Sequence, residues 1–229
     1  MSFLIDPFQF VKPPEGDEYT KLLLHFDGDN GSSVFIDTSR SQHSYTETDA
    51  VLDTSQSKFG GASCYFNGST VGIKFLNGLD WDFGVDDFTI DFWVRMSSIV
   101  ADQSLFNAYT LGNFKADFSI LPLSGTTGQM LVYINGSAAI VMQGATFSND
   151  TWYHIALVRS GDSWKSYRDG SMYGSGSESL AFGSSTDDIT IGTSRAQSPV
   201  LNAWIDEFRV SKGIARWTSD FTPPSAPYS

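Results

Sequence analysis

The sequence predicts an all-β chain folded as an antiparallel β-sandwich or jelly roll, flanked by an extended N-terminal arm and an extended C-terminal tail. Three observations carry this prediction. Aromatic residues make up 14% of the chain and charged residues 17%, with 21 glycines, so strand formers are mixed with turn formers. Short segments rich in Val, Ile, Phe, Tyr, Trp and Thr recur between clusters of Gly, Asn, Asp and Ser. No segment sustains an apolar period near 3.6, which leaves no crossover helices to support parallel strands.

The elements follow in chain order. Residues 1–18 contain Pro7, Pro13 and Pro14 among the apolar Phe3, Leu4, Ile5, Phe8, Phe10 and Val11. Proline fixes φ and removes a donor, so this is an extended docking arm rather than a helix or a central strand. Its apolar side chains need a surface, on the arm's own domain or on another subunit. The first residues have neither the basic start nor the apolar run of a secretory signal. Residues 19–212 form the jelly-roll domain, opening on the apolar strand 20–27. Further strands are expected near 62–67, 71–75, 87–96, 103–108, 114–121, 129–134, 138–142, 151–160, 163–169, 188–192 and 202–211. In the 87–96 strand, Asp91, Trp93 and Arg95 alternate with Phe92, Val94 and Met96, which makes two different faces. Asn-Gly at 30–31, 67–68, 77–78 and 135–136, and Asp-Gly at 27–28 and 169–170, suit type I′ turns. The clearest hairpin spans 131–142 about Asn135-Gly136, and another begins with 164–169 before Gly170. Residues 213–229 read as a short helical turn at 213–217 followed by an extended Pro-rich tail.

Charge and cysteine content narrow the function. With 14 Lys+Arg against 26 Asp+Glu the net charge is −12, which argues against nucleic acid or anionic membrane as a partner. No apolar run approaches the ~18 residues of a membrane span, so no membrane insertion is expected. Cys64 is the single cysteine, so no intrachain disulfide forms, and its thiol reads as buried and inert.

The chain lacks a Gly-x-Ser-x-Gly elbow, a His-Glu-x-x-His motif and a phosphate loop. His25, His43 and His154 are dispersed. Polysaccharide cleavage needs two carboxylates on one face. Asp187-Asp188 and Asp206-Glu207 are adjacent, so on a regular strand each pair points to opposite faces. The chain therefore reads as non-enzymatic. Sugar binding asks for aromatic rings beside polar groups. Trp81, Tyr109, Trp164 and Trp217 lie near turns. Trp164 shares a strand face with Ser166 and Arg168, which is more polar than a core face. The candidate glycan-binding residues are thus Trp164, Arg168, Tyr109 and Trp217.

Four stretches in order carry a family resemblance. They are Leu22–Gly28 with Asp37-Thr38-Ser39 and His43; Ser57–Gly68; Asp87–Arg95 paired with Trp152–Arg159 and Tyr167–Gly170; and Trp204–Val210. Together they resemble the laminin-G-like (LamG-like) domains of the concanavalin A-like jelly-roll group, over about residues 20–211. The resemblance implies a structural calcium where the first strand meets the last, at Asp27 and Asp206, with Asp29 and Asn30 adding oxygens. Calcium takes about six to eight of them. The competing reading has Asp27 and Asn30 capping a turn and Asp206 pairing with Arg209 or another base. The ending 206–217 followed by Phe221-Thr222-Pro223-Pro224 resembles LamG-like modules of tailed-phage virion proteins. It implies a structural protein on the surface of a phage particle, in capsid, tail or fibre. The arm would hold it to other virion subunits or to a second copy, with surface glycans as ligands. The alternatives are a lectin-like module, extracellular or on a bacterial cell surface, that binds polysaccharide, and a hydrolase or lyase on the same fold.

Overall fold

The computed structural model describes residues 14–47, 49–68, 72–76, 78–99, 103–110, 113–124, 127–134, 137–141, 146–177, 179, 181–182, 188–193 and 201–229, with backbone pairing alone over 109–141. The arm residues Phe3, Leu4, Ile5, Phe8, Phe10 and Val11 lie outside it.

The expected alternation organises the fold. In β6 (Phe88–Met96), Phe88, Ile90, Phe92, Val94 and Met96 enter the main core, leaving Thr89, Asp91, Trp93 and Arg95 on the opposite face. β6 is central in one eight-stranded antiparallel sheet. Its order is β14 (Ser171–Ser177), β13 (Ser163–Arg168), β12 (Trp152–Ser160), β6, β16 (Asn202–Lys212), β4 (Ser63–Asn67) and β3 (Val51–Asp53), with β1 (Thr20–Leu24) also on β16. The second eight-stranded sheet runs β10 (Ser137–Val141), β9 (Thr127–Ile134), β8 (Asn113–Ser124), β7 (Gln103–Thr110), β15 (Asp188–Ile191), β5 (Ile73–Phe75) and β2 (Tyr45–Glu47), with β11 (Phe147–Ser148) on β9. Between them lies an aromatic core that includes Phe66, Phe75, Trp81, Phe83, Phe92, Phe106 and Phe208. Each such side chain contributes about 1.5–3 kcal/mol by leaving water. This is the jelly-roll sandwich that the composition and turn spacing predict. Among the described residues no helix is long and apolar enough to cross a membrane.

The Asp-Gly signal at 169–170 is a tight turn between β13 and β14, with φ 51° at Asp169 and 77° at Gly170. Gly170 is required twice over, because a Cβ there would also collide with the Phe221 carbonyl of the tail. Strand β14 has the sequence SMYGSGS and is mostly solvent-facing, which is why its residues carry no strand signal of their own. Strands β2, β3 and β11, at two or three residues each, are too short for a period to register.

The helical turn expected at 213–217 is absent, and the segment is irregular. The Thr89 hydroxyl explains this. It accepts the Arg216 amide at 2.9 Å and donates to the Ile214 carbonyl at 3.1 Å, so the backbone is satisfied by β6 instead of by its own turn. The tail then crosses the outer face of the first sheet. Trp217 stacks on Phe221 at 3.9 Å, and both pack with Ala215 on Ala156, Val158 and Tyr167. Tyr228 ends the strap as a buried side chain. Cys64 is buried as expected, and burial pushes its thiol pKa well up.

Candidate functional site

One irregularity in β16 creates the first cluster. Residues 202–205 of β16 pair with β4, and residues 208–211 pair with β1. At the handover a bulge interrupts the pairing with β6 between Asp206 and Arg209, and Glu207 takes φ 52°. The bulge suspends the alternation that separates adjacent side chains, so Asp206 and Glu207 are both buried, close enough to repel.

Asp206 Oδ2 accepts the amides of Lys58 at 2.7 Å and Phe59 at 3.1 Å. Its Oδ1 is buried with no hydrogen-bond partner among the described residues. Burial, with the charges of Glu207 and Asp27 added, pushes the Asp206 pKa up to about 7 despite those two amides. Asp27 closes on the same place. Its carboxylate lies against Gly60, where φ is 63° and any Cβ would collide with it. Glu207 accepts from His25 Nδ1 at 2.9 Å and from the Tyr228 amide at 2.8 Å, while His25 Nε2 meets Glu15 at 2.6 Å. Burial opposes the imidazolium, but Glu207 and Glu15 on either side outweigh it and hold the His25 pKa above its ordinary value.

Of the four residues expected to hold calcium, the fold brings Asp27 and Asp206 together. Asn30 instead accepts the Thr54 amide at 3.1 Å, a turn contact, and Asp29 is exposed at the tip of a turn. Among the described residues, no three His, Cys, Asp or Glu side chains converge as a metal cage. Two carboxylates, one with an orphaned buried oxygen, still fit a hard cation that draws its other oxygens from carbonyls and water. The alternative pairing of Asp206 with Arg209 does not form. Arg209 donates to Asp91 through Nε at 3.0 Å and an η nitrogen at 2.8 Å. Burial opposes ionisation of Asp91, but Arg209 and His154 hold its pKa well below the carboxylate range. His154 Nε2 and the Tyr228 hydroxyl share a hydrogen bond of 3.0 Å, and the Arg209 guanidinium lies 4.1 Å from the Tyr228 ring centre.

A second feature runs across the outer face of the first sheet. In one register row, Tyr65 of β4 faces Trp204 of β16, Trp204 faces Arg95 of β6, and Arg95 faces Trp152 of β12. Tyr65 and Trp204 stack at 4.8 Å, and the Trp204 indole donates to Asp53 at 2.8 Å. Arg95 donates to Gln56 at 2.9 Å and pairs with Asp150 at 2.9 Å. Trp93 follows in the next outward row, with the Lys58 ammonium 3.8 Å from its ring centre. Beside it opens a groove of about 570 Å³, lined by Lys58, Phe59, Trp93, Trp152, Asp169 and the Pro223–Ser225 segment of the tail. Trp152, Lys58 and Phe59 are partly exposed there. Aromatic rings, an ammonium and a carboxylate thus share one open surface.

The residues expected to bind glycans are placed elsewhere. Trp164 is fully buried, edge-on to Phe88 at 5.1 Å and Phe182 at 5.4 Å. It is a core residue, because its side of β13 faces the other sheet. Arg168 is a structural clamp. It lies over Tyr173 at 4.7 Å, donates to the Tyr173 hydroxyl and donates to the Thr146 carbonyl. Trp217 belongs to the strap, and of Tyr109 only the backbone is described, pairing with Asp188 and with Phe114; its side chain lies outside the described residues. Sequence reasoning passed over Trp93, Trp152, Trp204 and Lys58. The alternation of Trp93 and Arg95 with Phe92 and Val94 was the available signal, but alternation separates faces without saying which one meets water.

Comparison with known proteins agrees with this architecture. No curated protein matches the chain. Domain 4 of an extracellular arabinanase from Geobacillus stearothermophilus, solved in complex with arabinotriose, is similar at a TM-score of 0.61 and 16% identity, covering 86% of this chain and 93% of that one. The binding domain of Paraclostridial Mosquitocidal Protein 1 is similar at 0.60 and 15% identity, covering 85% of this chain. The binding domain of Botulinum Neurotoxin DC, solved in complex with SialylT, is similar at 0.56 and 13% identity, covering 86% of this chain. The chain spans about half the length of these two toxin binding domains, 49% of each. A family model described as the concanavalin A-like lectin/glucanases superfamily matches residues 67–216, most of the jelly roll, and the chain belongs to that superfamily.

Proposed function

We propose that the chain is a non-catalytic carbohydrate-binding module whose ligand lies in the outer-face groove. The observation that carries this reading is the partly exposed Trp152 between Lys58 and Asp169, which offers an apolar ring to the C–H face of a sugar and charged groups to its hydroxyls. The arabinotriose held by the similar arabinanase domain agrees with it at the level of the fold. A binding role in place of catalysis is supported by the engagement of the buried carboxylates. Asp91 is locked by Arg209, and Glu207 by His25 and the Tyr228 amide. Trp152→Ala is expected to weaken glycan retention about 5- to 30-fold with the melting temperature unchanged. A glycan array on the wild type, followed by affinity electrophoresis of the variant, reads this directly. A wild type that retains no glycan sinks the proposal.

We further propose a structural calcium between Asp27 and Asp206. A folded-state pKa of about 7 at Asp206 means that its contribution to stability is full below the ordinary carboxylate pKa. That contribution is lost as pH rises from about 4 to about 7, on the order of 4 kcal/mol. A cation that holds both carboxylates ionised removes the loss. In urea titrations at matched ionic strength, calcium should raise the unfolding midpoint at pH 8 relative to chelator, with little effect at pH 5. Asp206→Asn should abolish the difference. Equal wild-type midpoints at pH 8 reject the site.

The second reading is a structural role on a phage particle, with the 1–18 arm as anchor. What supports it is the sequence resemblance of the ending 206–224 to LamG-like modules of tailed-phage virion proteins. Light-scattering mass of the full chain beside residues 19–229 tests the arm. An oligomer that becomes a monomer on truncation supports self-assembly, and two monomers of matching behaviour reject it.

A further inference from the structure

The charges around the outer-face groove do not balance. Arg95 is spent on Asp150 and Gln56. Asp169 accepts the His154 amide at 2.9 Å and stands 3.7 Å from the Arg168 guanidinium. Asp206 turns one oxygen to the backbone amides of Lys58 and Phe59. That leaves Lys58. Its ammonium lies 3.8 Å from the Trp93 ring centre and 5.8 Å from that of Phe59, and among the described residues no carboxylate is within ion-pairing distance of it. An ammonium has three donors, and a ring face occupies one side of it. Lys58 lines the groove, where its remaining donors can meet a ligand.

We propose that the groove selects a carboxylated sugar, a uronate- or sialate-type unit whose carboxylate pairs with Lys58 while Trp152 covers its C–H face. This rests on the carbohydrate reading of the groove. Trp93 holds the Lys58 ammonium over its ring face, so the charge is positioned before the ligand arrives and little side-chain freedom is lost on binding. The net charge of −12 does not oppose it at physiological salt, because charges more than about 8 Å away are screened while a contact pair in a groove is screened much less.

The experiment is calorimetric titration of the full chain with trigalacturonate, its methyl ester, sialyllactose and lactose. The wild type is expected to bind at least one acid about fivefold more tightly than its neutral counterpart, with the gap narrowing as salt rises. The acid that shows the gap identifies the source of the carboxylate. Lys58→Gln should bring acid and neutral forms to equal affinity with the melt unchanged, and Lys58→Arg should restore the preference. Equal wild-type affinity for acid and neutral sugars overturns the selectivity while leaving a carbohydrate site standing. An unchanged preference in Lys58→Gln overturns the role of Lys58. No binding of any of the four sugars overturns the selectivity and the carbohydrate reading together.

Discussion

Trp164→Ala is expected to destabilise the chain by about 3–5 kcal/mol, the range for deleting a large aromatic from a packed core. The indole is fully buried, edge-on to Phe88 and Phe182, and the Arg159 guanidinium lies 5.4 Å from its ring centre. Truncation leaves a cavity between the sheets that the surrounding aromatic rings cannot close without leaving their own contacts. For a chain of this size the melting temperature should fall by roughly 6–20 °C. Glycan affinity per folded molecule should stay the same, because Trp164 is not among the residues that line the groove. Urea unfolding and affinity measurements on one preparation separate the two effects. A variant that melts like wild type but loses its ligand would return Trp164 to the binding surface and discredit the outer-face groove.

Arg209→Leu is expected to cost about as much, roughly 3–5 kcal/mol, because it leaves Asp91 buried without its countercharge. Asp91 is wholly inside, and Arg209 supplies both of its guanidinium hydrogen bonds. The pH dependence gives the prediction its sign. The folded pKa of Asp91 is depressed, so its stabilising contribution is present above the ordinary carboxylate pKa of about 3.9 and is lost only as pH falls through the lower folded value. In the variant, burial favours the protonated form of Asp91, and only the smaller opposing effect of His154 remains. The stability gap between wild type and variant should therefore be widest near pH 7 and shrink toward pH 4, as read by urea midpoints across that range. A gap that is flat in pH would mean that lost packing on Tyr228 and Trp217, not lost charge, is the cause. The double variant Asp91→Asn with Arg209→Leu should recover part of the loss.

Much of the architecture was legible because it is local. Alternation in 87–96, the Asp-Gly turn at 169–170 and the apolar run opening at Thr20 each depend on neighbours a few residues away. The elements that escaped were those whose local chemistry is neutral or misleading. Strand β14 is mostly Ser and Gly and exists because β13 offers it an edge. Residues 213–217 have helical composition, yet Thr89, more than a hundred residues earlier, takes the hydrogen bonds that a turn would need. The buried carboxylate pair was half legible. Asp27 and Asp206 come close enough to repel, while Asn30 turned to Thr54.

By itself the sequence determined the all-β class, the positions of most strands and the buried thiol, since side-chain period, turn residues and composition act over short distances. Only the tertiary structure decided which face of each strand meets the second sheet. Trp93 and Trp164 sit in equally alternating strands, but one points away from the second sheet and the other into it. The bulge at Asp206-Glu207 was likewise decided at long range, where β16 changes partner from β4 to β1 and two adjacent carboxylates enter one buried site. Hydrogen bonding between strands far apart in the chain sets that register, and no window of neighbouring residues contains it.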